Sequence, residues 1–102
     1  MCGFLLSITK KKNNLKWRES FLSIQHRGPD SSKIKLFKSK FFYLKFGFHR
    51  LSIVDHKNDK ADQPFESKRS ILLFNGEIYN YIFLREKLLK KKIQFETNSD
   101  TE

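Results

Sequence analysis

The chain has 102 residues but only one cysteine, two prolines and four glycines. A single cysteine cannot form an internal disulfide, and without a second cysteine nearby the chain cannot form a zinc cluster. No apolar run approaches the roughly 20 residues that a membrane helix needs. The apolar residues 1–6 lack both the preceding basic residues and the following cleavage site of a signal peptide. These absences predict a cytoplasmic protein with no metal site and no membrane partner.

Acidic residues are also scarce, with 11 Asp and Glu against 21 Lys and Arg, which gives a formal charge of +10. Residues 1–45 hold most of the excess, with 11 basic and 2 acidic side chains. Lysines and aromatic rings could bind nucleic acid, because cations neutralise phosphates and rings stack on bases. However, Lys outnumbers Arg by 16 to 5, and Arg is preferred for bidentate contacts to phosphates and bases. We therefore favour a lysine-rich solvated surface and keep a basic nucleic-acid-binding domain as an alternative.

What is abundant is apolar surface, since 38% of the residues are hydrophobic and 15% are aromatic. This composition is typical of one small folded domain. The hydrophobic patterns predict a first strand buried on both faces, a hairpin, two helices and a further pair of short strands. In order, the strands are predicted over 2–8, 33–38, 41–50, 70–74 and 93–97, and the helices over 15–24 and after Asn80, which is expected to cap the second one. The pattern indicates an α+β fold class.

Two further local signals concern turns and helix starts. Asn75-Gly76 is a dipeptide that readily adopts positive φ and so predicts a tight turn. Residues 98–102 resemble the beginning of another capped helix.

Cys2 is the most informative single position. Removal of Met1 would leave Cys2 as the N-terminal residue with a free α-amino group. The α-amino pKa of about 7.7–8.0 lies close to the thiol pKa of about 8.5, so the amine could act as the base for its own thiol. Considered alone, an apolar cysteine near a terminus is more often a small core residue.

The residues that accompany Cys2 change this interpretation. Six short motifs occur in order along the chain: Cys2-Gly3, His26-Arg27-Gly28-Pro29-Asp30, His49-Arg50-Leu51-Ser52-Ile53-Val54-Asp55, Gln63-Pro64, Asn75-Gly76-Glu77-Ile78-Tyr79-Asn80 and Ser99-Asp100-Thr101-Glu102. Together they resemble the glutaminase domain of glutamine-hydrolysing asparagine synthetases, a branch of the class II glutamine amidotransferases with an N-terminal nucleophile. The ordered set is far more specific than any one motif.

The resemblance implies a fold, a reaction and partners. It implies that residues 1–102 are a truncated type 2 glutamine amidotransferase domain, the N-terminal part of an N-terminal nucleophile hydrolase αββα sandwich. The implied reaction is hydrolysis of glutamine to glutamate and ammonia through a Cys2 thioester, with the ammonia passed to an acceptor such as aspartate. The acceptor would bind to a synthetase domain or chain, which alone would need ATP and Mg. No cofactor is implied for the domain itself.

The resemblance also assigns residue roles. The side-chain amide of Asn75 and the backbone N–H of Gly76 would stabilise the oxyanion, a contribution worth about 3–4 kcal/mol per donor in comparable sites. Arg50 would grip the α-carboxylate of glutamine with its planar fork, and Asp100 would bind the α-ammonium group. Backbone groups complete the implied substrate contacts, from Leu51, Ile53 and Glu77.

Other polar residues of these motifs receive structural roles. Since the terminal amine supplies the base, His26 and His49 are expected to shape the turn and the hairpin rather than to bind a metal or move protons. Arg27 and Asp30 are expected to brace the loop near Cys2.

Two departures from the family pattern leave alternatives open. Leu6 stands where the family usually has a glycine, and could crowd the backbone near the nucleophile. The sequence also contains no Ser-Gly-Gly-x-Asp-Ser motif of a synthetase domain. A catalytically inert remnant or an interaction module therefore stays an alternative to an active glutaminase domain.

Overall fold

The computed structural model describes residues 2–12, 15–55 and 57–102. Its main sheet has three antiparallel strands in the order β1-β3-β2, with the bounds β1 (Gly3–Thr9), β2 (Ser31–Lys38) and β3 (Tyr43–Arg50). β2 and β3 form the predicted hairpin, in which Gly47 lies opposite Ile34. On the other side of β3, Gly47 lies opposite Leu5 of β1. The α+β class and the hairpin are therefore confirmed.

One face of this sheet is covered by the helix α1 (Leu15–Ser23). Trp17 and Phe21 of α1 are 4% and 3% exposed and form part of the core. Their rings lie so close to the sheet that a Cβ on Gly47 would be only 2.5 Å from the Phe21 ring. The Phe21 ring also stacks on His49, with a centroid separation of 3.8 Å. A glycine at position 47 is therefore what lets α1 approach β3.

The prediction that the first strand is buried on both faces is wrong. Burial alternates along β1, and Phe4, Leu6 and Ile8 are 44%, 45% and 61% exposed. Side chains of a strand point alternately to opposite faces, and α1 covers only one of them. In the described part of the chain, no element covers the apolar side chains of β1 on the other face.

The segment after β3 contains little regular structure. A short 3-10 helix, Asp59–Ala61, precedes a cis Gln63-Pro64 peptide bond. A small two-stranded sheet follows, made of β4 (Phe65–Glu66) and β5 (Ile71–Leu72). The strand predicted over 70–74 is therefore present but shorter.

The second helix, α2 (Tyr81–Lys90), begins directly after Asn80, as predicted, but Asn80 does not cap it. Its side chain makes no capping hydrogen bond, because its φ of −97° and ψ of 21° depart from the extended conformation typical of a capping residue. The apolar side chains of α2 are largely exposed, including Ile82 at 60% and Leu89 at 52%. Among the described residues, no helix is both long and apolar enough to cross a membrane.

The strand predicted over 93–97 is absent from the structure, which has no strand there. Backbone groups of this segment form hydrogen bonds with side chains instead of with a neighbouring strand. Arg85 donates to the carbonyl of Thr97, and the Glu102 carboxylate accepts from the backbone N–H groups of Glu96 and Thr97. Residues 98–102 form a turn at positions 100 and 101. The Ser99 hydroxyl accepts from the Thr101 backbone N–H at 3.2 Å, and the start of a helix at this point stays a prediction.

Candidate active site

A cavity of about 320 Å³ lies where the C-terminal end of β3 meets the segments around residues 75 and 100. Its volume is at the lower end of the range for small-molecule sites, roughly 300–1,000 Å³. The eight residues singled out from the sequence as candidate catalytic or substrate-binding groups all line it: Cys2, Arg50, Leu51, Ile53, Asn75, Gly76, Glu77 and Asp100. The fold therefore brings together residues that are up to 98 positions apart in the sequence.

The Cys2 thiol lies against the backbone that follows β3. Its sulfur accepts a hydrogen bond from the Leu51 backbone N–H at 3.3 Å and lies 3.6 Å from the Leu51 carbonyl oxygen. The carbonyl of Cys2 accepts from Nε of Arg27 at 3.2 Å, which confirms the bracing role expected for Arg27. The thiol is half-buried. Met1 lies outside the described residues, so the role of a Cys2 α-amine stays a prediction.

The turn at Gly28–Asp30 ties the loops around Cys2 together. The Asp30 backbone N–H donates to the Arg50 carbonyl at 3.0 Å, and its carboxylate accepts from the Ser52 backbone N–H at 2.6 Å. The bracing role expected for Asp30 is thus confirmed. Gly28 is packed so tightly that a Cβ there would lie 2.2 Å from the His49 carbonyl oxygen. A larger residue at position 28 would separate this turn from the end of β3.

Arg50 is held by protein acceptors on both of its terminal nitrogens. Nη1 donates to the Asn58 carbonyl at 3.2 Å and to Oδ1 of Asp62 at 2.9 Å. Nη2 donates to the carbonyls of Val54 and Asp55 at 2.9 and 2.8 Å. A two-pronged grip on a substrate carboxylate would have to displace some of these partners. Nε remains as the fifth donor of the guanidinium group, and no acceptor within the described ranges contacts it.

Asp55 is a residue that the sequence did not single out, although it connects two walls of the cavity. Its backbone adopts a φ of 57°, and its carbonyl holds Arg50. Its carboxylate accepts from the backbone N–H of Asn98 at 2.8 Å and from the Asn58 side chain at 3.0 Å. The Asn98 hydrogen bond is the main reason why the pKa of Asp55 lies below its ordinary value. Asp55 thereby links the loop after β3 to the segment that carries Asp100.

Gln63 performs a similar task for the segment that carries Asn75. Its side chain is 5% exposed and binds both backbone groups of Phe74. Oε1 accepts from the Phe74 N–H at 2.5 Å, and Nε2 donates to the Phe74 carbonyl at 2.9 Å and to the Thr101 hydroxyl at 3.3 Å. The amide therefore fixes the residue immediately before Asn75.

Asn75 and Gly76 both line the cavity. Neither residue has the positive φ that this dipeptide readily adopts. The need for glycine is instead steric, since a Cβ on Gly76 would lie 2.8 Å from the Phe74 ring. Asn75 is half-buried, whereas Gly76 and Glu77 are exposed. In the portion of the chain that the structure describes, the Asn75 side chain has no hydrogen-bond partner, so its N–H groups are available to a ligand.

Asp100 lines the same cavity from the C-terminal segment. One oxygen of its carboxylate accepts from the Ile78 backbone N–H at 2.8 Å, which joins this segment to the one that follows Glu77. Arg85 supports the same segment by donating to the Ser99 carbonyl at 2.9 Å. Burial alone would raise the pKa of Glu102, but hydrogen bonds from the backbone of Glu96 and from Thr97 outweigh it and lower that pKa.

The two histidines of the motifs have structural contacts. His49 is 1% exposed, and its Nε2 donates to the Phe21 carbonyl at 2.8 Å while its Nδ1 bonds the Ser32 hydroxyl at 2.6 Å. His26 is exposed and uses Nδ1 to contact the Ser23 carbonyl at 3.0 Å. Both contacts agree with the expected role in shaping the turn and the hairpin. Across the described ranges, no three His, Cys, Asp or Glu side chains converge as a metal site would require.

Comparison with known proteins decides the family. The model of the glutamine amidotransferase domain matches residues 1–102, which is the whole chain. The chain belongs to the glutamine amidotransferase domain family. Its relatives place this amidotransferase domain with the asparagine synthetases, as the sequence motifs predict.

Several curated relatives carry that name. The amidotransferase domain is 41% identical to asparagine synthetase [glutamine-hydrolyzing] 1 of Bacillus subtilis over 100% of its length and 16% of that protein. It is 38% identical to asparagine synthetase [glutamine-hydrolyzing] 2 of Arabidopsis thaliana, over 100% of the chain and 17% of the relative. A putative asparagine synthetase of Methanocaldococcus jannaschii is 35% identical over 78% of the chain and 18% of its own length. The chain thus spans about a sixth of these relatives, and no solved structure matches it.

Proposed function

We propose that this amidotransferase domain hydrolyses glutamine to glutamate and ammonia, with Cys2 as the nucleophile. The observation that carries the proposal is that Cys2 and the seven other predicted site residues line the same cavity. Family membership supports the same conclusion, since the matched relatives are named as glutamine-hydrolysing enzymes.

The proposed reaction has two steps. The Cys2 sulfur attacks the side-chain amide carbon of glutamine, and the thiol proton passes through the α-amine to the departing nitrogen, which leaves as ammonia. Water then attacks the resulting γ-glutamyl thioester, breaks the carbon–sulfur bond and returns the proton to the thiol, releasing glutamate. Formation of a covalent intermediate divides one difficult hydrolysis into two easier steps. The amine is available only after removal of Met1.

The oxyanion of both steps is assigned to Asn75 and Gly76. The Asn75 side-chain amide and the Gly76 backbone N–H are neutral donors that can be oriented before reaction, which is how such sites stabilise developing negative charge. The clamp of Gln63 on Phe74 supports this assignment, because it holds the preceding residue rigidly through both of its backbone groups.

Substrate orientation is assigned to two charged groups that line the cavity. Arg50 would attract the α-carboxylate of glutamine and Asp100 its α-ammonium group, while backbone groups of Leu51, Ile53 and Glu77 would provide further contacts. A cation and an anion in one cavity favour a free amino acid over a glutamine residue within a peptide, which carries neither charge.

The remaining family properties are also part of the proposal. Residues 1–102 would belong to a type 2 amidotransferase domain with the αββα sandwich fold. Its ammonia would pass to a synthetase domain or chain that binds ATP and Mg and carries the acceptor, with aspartate as the expected one. A cytoplasmic location is inferred in the same way. The amidotransferase domain itself would need no cofactor.

The test is glutamate release from L-glutamine by the purified chain, after mass spectrometry has established whether Met1 is present. We expect release by the processed protein and its loss, by at least about 10³-fold, in Cys2→Ala. Ser7→Ala, on strand β1, which begins directly after Cys2, serves as the control and should retain activity. Equal release by Cys2→Ala and the unchanged protein would exclude Cys2 as the nucleophile. No release by a folded, processed chain would favour the inert remnant.

A further inference from the structure

We propose that Asp62 is a positioning residue that fixes the Arg50 guanidinium for binding of the glutamine α-carboxylate. The inference rests on the proposed function and adds to it a residue that was not singled out from the sequence. Asp62 lies directly after the 3-10 helix Asp59–Ala61 and before Gln63. It does not line the cavity itself, so it would act only through Arg50.

The contact between the two side chains is close and largely shielded from water. Oδ1 of Asp62 lies 2.9 Å from Nη1 of Arg50, and the two side chains are only 16% and 9% exposed. A shielded, charge-assisted hydrogen bond of this kind is stronger and more directional than a surface ion pair. The Arg50 side chain therefore has a well-defined partner that sets its orientation.

Asp62 is in turn held by strand β2. The Ser31 hydroxyl donates to the same Oδ1 atom at 3.0 Å, and Nζ of Lys33 donates to the Asp62 carbonyl at 3.4 Å. The other acceptors around Arg50 are backbone carbonyls of residues 54, 55 and 58. Within the described segments, Asp62 is thus the one charged partner of Arg50, and it connects the guanidinium to the main sheet.

This arrangement determines how Arg50 can bind a ligand. Nη1 and Nη2 carry four hydrogens, and four protein acceptors contact them. Nε–H is the donor that remains for a carboxylate in the cavity, so its direction depends on the contacts at the other two nitrogens. Loss of the Asp62 contact would release one end of the guanidinium and weaken carboxylate binding.

The opposite effect of Asp62 is also physically conceivable and gives the proposal a clear rival. As an anion beside Arg50, Asp62 could compete with the substrate carboxylate for the same positive charge. Removal of a competitor would strengthen glutamine binding, whereas removal of a positioning residue weakens it. The sign of the change in KM therefore separates the two roles.

The experiment compares Asp62→Ala with Asp59→Ala, which removes an exposed carboxylate from the same segment. Two substrates are used: L-glutamine, and L-glutaminamide, in which an amide replaces the α-carboxylate. For L-glutamine, we expect Asp62→Ala to raise KM about tenfold, the loss typical of one charge-assisted contact, with kcat changed less than about threefold. For L-glutaminamide, KM should stay unchanged, because that substrate has no carboxylate for Arg50.

Asp62→Asn is the conservative variant. Its amide oxygen can still accept from Nη1, so we expect most of the affinity for L-glutamine to return. Protection of Cys2 by L-glutamine against alkylation with iodoacetamide reports occupancy of the site by a readout other than glutamate release, and it should follow the same order. If Asp62→Ala does not fold, Ser31→Ala tests the same series of contacts, because it removes the hydroxyl that donates to the Asp62 carboxylate. This variant should raise the KM for L-glutamine but not for L-glutaminamide.

Three results would overturn the inference: a KM for L-glutamine equal to that of Asp59→Ala, an equal rise in KM for both substrates, or a lower KM for L-glutamine. All of them leave glutamine hydrolysis intact. If the unchanged chain neither releases glutamate nor shows protection of Cys2 by L-glutamine, the proposed function fails instead, and the inference fails with it.

Discussion

Replacement of Gln63 tests whether the side-chain clamp on Phe74 supports the wall of the cavity that carries Asn75. Gln63→Leu keeps a side chain of similar size but removes both the acceptor of the Phe74 N–H and the donor to its carbonyl. Position 63 is 5% exposed, so water cannot easily replace the amide. The variant therefore leaves two backbone groups of Phe74 without their partners.

The size of the effect follows from those two groups. A buried polar group without a partner costs about 1–3 kcal/mol, and Phe74 is only half-buried. We therefore expect Gln63→Leu to lower the free energy of unfolding by about 2–3 kcal/mol. For a domain of this size, each kcal/mol lowers Tm by about 4–8 °C, which predicts a loss of roughly 10–20 °C.

The assay is urea and thermal unfolding of Gln63→Leu beside Gln94→Leu, which makes the same change at an exposed position. Gln94→Leu should stay within about 0.5 kcal/mol of the unchanged chain. A loss in Gln63→Leu no larger than that of the control would refute the reasoning.

Two further predictions concern the loops around the cavity. Because the backbone N–H of Asn98 lowers the pKa of Asp55 below its ordinary value of 3.8, the ionised carboxylate stabilises the folded state above that pH and loses this effect as the pH falls through the lowered pKa. The gap in urea midpoint between the unchanged chain and Asp55→Asn should thus narrow with falling pH, with Asp59→Asn, which replaces an exposed carboxylate nearby, as the control. A gap independent of pH would contradict the assignment. Gly28→Ala should destabilise the chain by at least about 3 kcal/mol in urea unfolding, since its Cβ would lie 2.2 Å from the His49 carbonyl oxygen, and near-normal stability would show that this turn can move away.

The main sheet could be predicted because its signal is local. Apolar and polar residues alternate through β2 and β3, and a period of two is typical of a strand with different faces. The unbroken apolar run of β1 carries no such alternation, and burial on both faces was therefore the wrong prediction. Which face is covered depends on where α1 packs, and that contact is set by Trp17, Phe21 and Gly47, which all lie outside β1.

The prediction of a strand over 93–97 was also wrong because of contacts from outside the segment. Residues 93–97 have a strand-like composition, but Arg85 and Glu102 bind their backbone groups, and neither side chain belongs to the segment itself. Local propensity cannot show such a competition, because it considers only a residue and its immediate neighbours.

The candidate site shows the same difference between what local sequence patterns indicate and what depends on contacts formed on folding. Its lining residues could be named in advance because they occur in ordered motifs, and the fold places all eight of them around one cavity. The supporting residues Asp55, Asp62 and Gln63 could not be assigned roles, since each acts by contact with a partner that folding brings near. The Asn75-Gly76 dipeptide does not use the positive φ that glycine allows, and the steric need for glycine at position 76 comes from the Phe74 ring, a contact that the dipeptide alone does not reveal.

The most direct test of the central claim is capture of the covalent intermediate. The processed chain is mixed with L-glutamine and quenched in acid within the first turnovers. It is kept acidic through digestion and mass spectrometry, so that the acyl group cannot migrate from the sulfur to the free α-amine. We predict a γ-glutamyl group on the peptide that begins with Cys2, lost on treatment with hydroxylamine and absent from Cys2→Ala. Release of glutamate at an undiminished rate by Cys2→Ala, without any adduct in the unchanged chain, would contradict a Cys2 thioester.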